Sequence, residues 1–165
     1  FDYQPGRSGT FPRKFLKGYT GYIHTDAYKG YEKVTGLTRC FCWTHLRRYF
    51  VDALAKDVAN PQETIPAQAI RYINRLFELE VLSSETRKEQ RLIQESPVLE
   101  AFWSWAEKVS VGMLPKSKLG EAFTYAFNQK SGLMNYLLDG NCSISNNLAE
   151  NRVPKELKPV LESIH

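Results

Sequence analysis

The chain has 165 residues, of which 42% are hydrophobic and 24% charged, and its formal net charge is +4. This length and composition favour one folded domain with a sizeable core and exclude a disordered or low-complexity chain. No apolar run approaches the roughly 20 residues that a membrane-spanning helix needs. The first residues also lack the pattern of a signal or transit peptide, so we expect a cytoplasmic protein without membrane contact.

The basic charge is concentrated in the first third of the chain. Residues 1–57 carry ten basic and five acidic side chains, whereas residues 58–139 and 140–165 are close to charge balance. The first third is therefore the better candidate for contact with a polyanion. The cysteines are odd in number, and without an export signal we interpret them as reduced thiols.

Short β-prone segments dominate the first 43 residues. Residues 12–19 predict a short helix, because a proline lies at its start and a glycine near its end. Residues 21–25 and 38–43 predict two strands, which we expect to pair. Asp26 would then lie at the carboxyl end of the first strand.

The hydrophobic period changes to that of a helix at Thr44, which is predicted to cap the first long helix. Helical spacing then continues through residues 58–139. The charged stretch 84–94 is interpreted as a solvated helix. The aromatic cluster Phe102, Trp103 and Trp105 is predicted to fill the core in preference to stacking on nucleobases.

This order of elements predicts an α/β fold that is helical over most of its length. We divide it into a partial α/β core (1–57), a helical insertion (58–139) and a C-terminal segment (140–165). In the last segment Ser143 or Ser145 could cap a short helix. Asn146, Asn147 and Glu150 would share one side of that helix, because residues three and four apart are neighbours.

Three blocks of sequence resemble the insertion-sequence transposases of the IS66 family. They are YQPGRSG through TDAYKGY (3–31), CWTHLRRYF (42–50), and LPKSKLGEAFTYAFNQ through DGNCSISNNLAEN (114–151). The resemblance implies a ribonuclease-H-like catalytic domain with an acidic (DDE) triad. The second acid matches Asp26 and the third matches Glu150, while the family's first acid lies upstream of the YQPGRSG block and has no counterpart in these residues.

The activity implied by the resemblance is cleavage and transfer of DNA strands, with Asp26 and Glu150 as ligands of Mg²⁺ or Mn²⁺. Carboxylates suit these hard cations, and two ions can stabilise the attacking and leaving oxygens of a phosphodiester. The missing first strand suggests a chain truncated at its N-terminus, inactive by itself, with an exposed sheet edge that invites homodimerisation. After Asn151 the sequence departs from the family pattern. DNA is the expected partner, and no small-molecule substrate is expected.

The basic residues expected to contact DNA phosphates are Arg7, Arg13, Lys14, His45, Arg47 and Arg48. The last three could equally form the polar side of an amphipathic helix. Without the resemblance, Asp26 would be interpreted as a turn residue and Glu150 as a solvated acid. A non-catalytic remnant that binds DNA or protein is the alternative function.

Zinc binding is a second possibility for the cysteine-rich block. Cys40, Cys42 and His45 supply three soft ligands, and Cys142 could be the fourth. The spacing lacks the paired second half of a typical zinc site, so reduced structural thiols are the preferred interpretation.

Overall fold

The computed structural model describes residues 14, 16–25, 31, 32, 34–80 and 85–145. Two strands, β1 (Gly21–His24) and β2 (Leu37–Cys40), form a parallel pair in which His24 lies opposite Cys40. The predicted pairing is thereby confirmed. The second strand ends earlier than predicted, because the N–H of Phe41 donates to the carbonyl of Gly132 at 3.0 Å and leaves the ladder.

Helices follow from Trp43 onwards. They are α1 (Trp43–Asp52), α2 (Ile65–Leu79), α3 (Arg87–Gln90), α4 (Ser96–Val109), α5 (Lys118–Asn128) and α6 (Lys130–Met134). A 3-10 turn (Pro61–Glu63) precedes α2, a π-helical turn (Arg91–Glu95) joins α3 to α4, and a 3-10 turn (Asn135–Leu138) follows α6. The predicted helical character of 58–139 is confirmed for its described residues. None of the helices among the described residues is long and apolar enough to cross a bilayer.

The start of α1 differs from the prediction. The N-cap residue is Cys42, whose side chain makes no capping bond, and the helix begins at Trp43. The hydroxyl of Thr44 instead makes a hydrogen bond of 2.8 Å with the hydroxyl of Ser145, so the predicted Thr44 cap is wrong. The Thr44 hydroxyl, which the local sequence predicts to cap the helix, therefore bonds a residue that is distant in sequence.

The core is aromatic and centres on Trp43. Its fully buried indole packs edge-on against Phe102, with ring centroids 5.7 Å apart, and its Nε1 donates to the carbonyl of Leu133 at 2.9 Å. Phe102 and Trp103 are buried and Trp105 packs against the same cluster. The prediction that these three aromatics fill the core is confirmed.

One core joins residues from all three predicted segments. It contains Cys40 and Phe50 from the first, Phe102 from the second and Cys142 from the third. The boundaries at residues 57 and 139 therefore separate stretches of sequence that pack on a common core. That these stretches are separate domains stays a prediction.

The charged stretch 84–94 is not a solvated face throughout, which corrects the prediction. Arg91 is fully buried and Glu95 is 1% exposed, whereas Leu92 and Ile93 are exposed. Both buried residues lie in the π-helical turn that ends two residues before Pro97. Proline has no N–H and its ring clashes with the carbonyl four residues earlier, so a locally widened helix accommodates it.

The small sheet has two strands within the described residues. No third strand pairs with β1 or β2 there. Beyond β2, the side-chain amide of Asn135 donates to the carbonyl of Arg39 at 2.7 Å. The predicted dimerisation by edge pairing therefore concerns the outer edge of β1, and it stays a prediction.

Candidate active site

The carboxyl end of β1 is held by the neighbouring strand. Thr25 is 6% exposed, its N–H donates to the carbonyl of Cys40 at 3.2 Å, and its hydroxyl accepts from Nε of Arg39 at 3.1 Å. Asp26 comes next in the chain and lies outside the described residues. Thr25, the residue before Asp26, is thus fixed at the end of β1, which is where the sequence predicted that Asp26 would lie.

The loop 139–145 packs against this strand end and against the start of α1. Sγ of Cys142 lies 3.7 Å from Nε2 of His24, and the N–H of Trp43 donates to the carbonyl of Ile144 at 3.2 Å. The loop leads towards Glu150, which is also outside the described part of the chain. Residues two positions before Asp26 and eight before Glu150 are therefore in contact.

A buried arginine holds this loop. The Arg91 guanidinium donates to three backbone carbonyls in the loop or just before it. They are those of Tyr136 at 2.7 Å, Asp139 at 3.0 Å and Cys142 at 2.8 Å. Arg91 also forms an ion pair with Glu80 and stacks over the ring of Tyr136, with 4.8 Å from its central carbon to the ring centroid. Since the guanidinium has five N–H donors in a fixed plane, one side chain can gather several acceptors.

Glu95 and Tyr136 extend the same polar network into the core. The Tyr136 hydroxyl donates to Oε2 of Glu95, and both side chains are almost fully buried. Burial raises the pKa of Glu95 to about 7, and it raises the pKa of Tyr136 above its usual range. The network therefore contains a carboxyl group that titrates near neutral pH.

Arg39 was not singled out from the sequence, yet it lies beside the strand end. Its guanidinium bonds Thr25 and stacks over the ring of Phe41 at 4.8 Å. The parallel register, which pairs Ile23 with Arg39, is what brings it there. Only knowledge of that register could have identified Arg39, because the residue is unremarkable within its own strand.

Arg91 and Glu95 were also missed, although their sequence holds a signal. They precede Leu99 at intervals of four residues, and so continue the buried stripe of α4 backwards. Their charge made a solvated helix the simpler interpretation.

The predicted DNA-binding residues differ in availability. His45 and Arg48 are exposed on α1, and Lys14 is exposed. Nε of Arg47 donates to Oδ1 of Asn74 on α2 at 2.8 Å, and burial lowers the pKa of this guanidinium. Of the other predicted site residues, Arg7, Arg13, Asn146 and Asn147 lie outside the described residues.

The zinc alternative finds no support among the described residues, where no group of three or more His, Cys, Asp or Glu side chains could hold a metal ion. Cys40 and Cys142 meet, but Sγ of Cys42 lies beside the hydroxyl of Ser145 at 3.6 Å. His45 lies at an exposed position on α1.

Comparison with known proteins identifies the class to which this fold and sequence belong. Residues 1–159 match the family described as Transposase IS66 family, and the chain therefore belongs to the IS66 transposase family. The expectation from the three sequence blocks is confirmed.

The curated relatives come from Sinorhizobium fredii (strain NBRC 101917 / NGR234). Uncharacterized protein y4hP is 29% identical over 87% of this chain, and Uncharacterized protein y4qI is 26% identical over 93% of it. The match covers 30% of the length of each of these two relatives. The chain thus spans about a third of them. No solved structure matches the chain.

Replacing Arg91 by Met should destabilise the protein strongly. The change leaves Glu80 and three backbone carbonyls without their hydrogen-bond donor in a buried site. Removing one partner of a buried ion pair costs about 3–5 kcal/mol. Urea unfolding followed by circular dichroism measures this loss. The matched control is Arg75→Met, which removes an exposed ion pair with Glu78 and should cost at most about 1 kcal/mol. Equal losses in the two variants would contradict the role assigned to Arg91.

The buried carboxyl of Glu95 should make stability fall as the pH rises from about 4.5 to 7. Its folded pKa of about 7 exceeds the reference value of 4.5, so the folded state holds a proton that the unfolded state releases over this window. The contribution of protonated Glu95 to the free energy of unfolding is fully present below pH 4.5 and is lost as the pH passes 7. It is at most about 3 kcal/mol. Unfolding free energies measured at several pH values should show this decline.

The variant Glu95→Gln should lack that decline, because the amide does not titrate. Glu100→Gln, an exposed change on α4, is the control and should keep it. A Glu95→Gln profile identical to the wild-type profile would disprove the assignment.

Proposed function

We propose that this chain is part of the catalytic region of a DNA transposase, with a ribonuclease-H-like core that carries Asp26 and Glu150 as acids of one site. The observation that carries the proposal is the contact between the segments that lead to these acids. His24 touches Cys142, and Thr25 is bonded to the strand that ends at Cys40, beside the same loop. Membership of the IS66 transposase family supports the proposal, and the motifs around Asp26 and Glu150 resemble those of the second and third acids of the family's triad.

The donor set fits a hard divalent cation. Two carboxylates offer oxygen ligands, which Mg²⁺ and Mn²⁺ prefer, and the side-chain amides of Asn146 and Asn147 could support the carboxylate of Glu150. A bound pair of such ions would stabilise the oxygens that attack and leave a phosphodiester. The role of this chain is to hold the two carboxylates at a fixed spacing, and the Arg91 network is the described structure that fixes the loop towards Glu150.

DNA is the proposed partner, and exposed basic residues are the proposed contacts. Arg48 and His45 lie on the exposed side of α1, whose first residues contact the loop 139–145. Lys14, Arg7 and Arg13 are the remaining proposed phosphate contacts. Phosphate contacts of this kind position a duplex without selecting its sequence.

The two acids should bind Mn²⁺ weakly and jointly. Titration followed by electron paramagnetic resonance should show that Asp26→Asn and Glu150→Gln each lower the affinity at least about tenfold, since even second-shell changes around a metal cost that much. Asp52→Asn, an exposed acid at the end of α1, is the matched control and should leave the affinity unchanged. If only one of the two acids matters, the shared site is disproved.

Binding to a DNA duplex should be weak, non-specific and salt-dependent. Fluorescence anisotropy at low salt should give dissociation constants of about 10⁻⁴ to 10⁻⁶ M. Arg48→Ala should reduce the slope of log affinity against log salt by about 0.9 for each phosphate contact that is lost. The control Arg75→Ala, on α2, should keep the slope. Affinity that does not respond to salt would exclude this mode of binding and would favour a protein-interaction role.

A further inference from the structure

Two buried cysteines that are distant in sequence meet at the candidate site. The sulfurs of Cys40 and Cys142 lie 2.7 Å apart, although the residues are 102 positions apart in the chain. Cys40 ends β2 with no exposed surface, and Cys142 belongs to the loop that Arg91 holds and is 6% exposed. The separation is less than 1 Å longer than a disulfide bond of about 2.05 Å.

The third cysteine is close in sequence but is differently engaged. Sγ of Cys42 lies 3.6 Å from the hydroxyl of Ser145, and Cys42 occupies the N-cap position of α1 without a side-chain capping bond. Its thiol is buried like the others, so burial alone does not distinguish the pair. What distinguishes Cys40 and Cys142 is direct contact between their sulfurs.

The surroundings of the two thiols are unequal. Contact with the Cys40 thiol and with the His24 ring lowers the pKa of Cys142 to about 5, against the effect of burial. The same contact, together with burial, raises the pKa of Cys40 well above its usual range. Of the two thiols, Cys142 is therefore the one that loses its proton more readily, and its residue is 6% exposed whereas Cys40 has no exposed surface.

We propose that Cys40 and Cys142 form a dithiol that closes to a disulfide when the protein meets a hydroperoxide. The Cys142 thiolate attacks the peroxide, takes one oxygen to become a sulfenic acid, and releases the other oxygen as hydroxide, or as the alcohol of an organic peroxide. The Cys40 sulfur then attacks the sulfenic sulfur, the S–S bond forms, and the hydroxyl leaves as water with the Cys40 proton. The two thiols lose two electrons, and the peroxide gains them.

The cross-link would join the end of β2 to the loop 139–145. Any effect of the cross-link on catalysis rests on the proposed function. The end of β2 lies beside β1, which Asp26 follows in the chain, and the loop 139–145 precedes Glu150. The disulfide would link the two segments covalently, whereas the hydrogen bonds of Arg91 hold only the loop. It forms without DNA or metal, so its failure and the failure of the proposed function are separable.

Peptide mapping tests the cross-link on the full 165-residue chain. The reduced protein is treated with hydrogen peroxide at neutral pH, remaining thiols are blocked with N-ethylmaleimide under denaturing conditions, and the protein is digested with trypsin without reductant. Mass spectrometry should then find peptide 40–47 linked to peptide 131–152. The melting temperature should rise on oxidation and return with dithiothreitol, because a cross-link restricts the unfolded chain.

Cysteine variants assign the link, since peptide 40–47 contains both Cys40 and Cys42. The linked peptides should persist in Cys42→Ser, which is the matched control, and should disappear in Cys40→Ser and in Cys142→Ser. Circular dichroism of each variant checks folding. If Cys40→Ser fails to fold, the mapping of Cys42→Ser decides alone.

Any of several results would overturn the proposal. They are a link through Cys42, cross-linking only between two chains on non-reducing gels, and alkylation of both Cys40 and Cys142 after peroxide treatment. Oxidation of Cys142 to a sulfinic acid without a cross-link would count equally against it.

Discussion

The position of the loop 139–145 depends on one buried guanidinium. Arg91 donates to three backbone carbonyls between residues 136 and 142 and pairs with Glu80, and it has no exposed surface. A charge in that position is tolerated only when its donors are matched, because an unpaired buried charge costs several kcal/mol. The loop carbonyls satisfy the N–H donors of Arg91, and Arg91 in turn determines where the loop lies.

This constraint accounts for the irregular helix that carries it. Arg91 and Glu95 face inward from a π-helical turn, while Leu92 and Ile93 face solvent, so the usual preference of polar and apolar residues is reversed over one turn. Glu95 meets the hydroxyl of Tyr136, the same residue whose carbonyl accepts from Arg91. A polar network inside an aromatic core admits few alternative packings, because each must satisfy the same donors and acceptors.

The two short strands depend on the helices for their support. An isolated parallel pair of four residues each would be unstable in water, and here α6 bonds the residue after β2 while Asn135 bonds Arg39. The strand ends are thereby fixed against the loop through Cys40, Cys142 and His24. The acids of the proposed site, Asp26 and Glu150, follow these two contacting segments in the chain.

The sequence by itself determined the family, the pairing of the two strands, the helical character of the middle segment and the core role of Phe102. These features follow from motif order, hydrophobic period and residue size, which are properties of neighbouring residues. Tertiary structure alone decided that Arg91 is buried, that Thr44 bonds Ser145 instead of capping α1, and that Cys40 touches Cys142. Apart from Glu80, the partners in these contacts lie 45 or more residues away. A charge, hydroxyl or thiol is recognised as structural only when the fold has brought its partner to it.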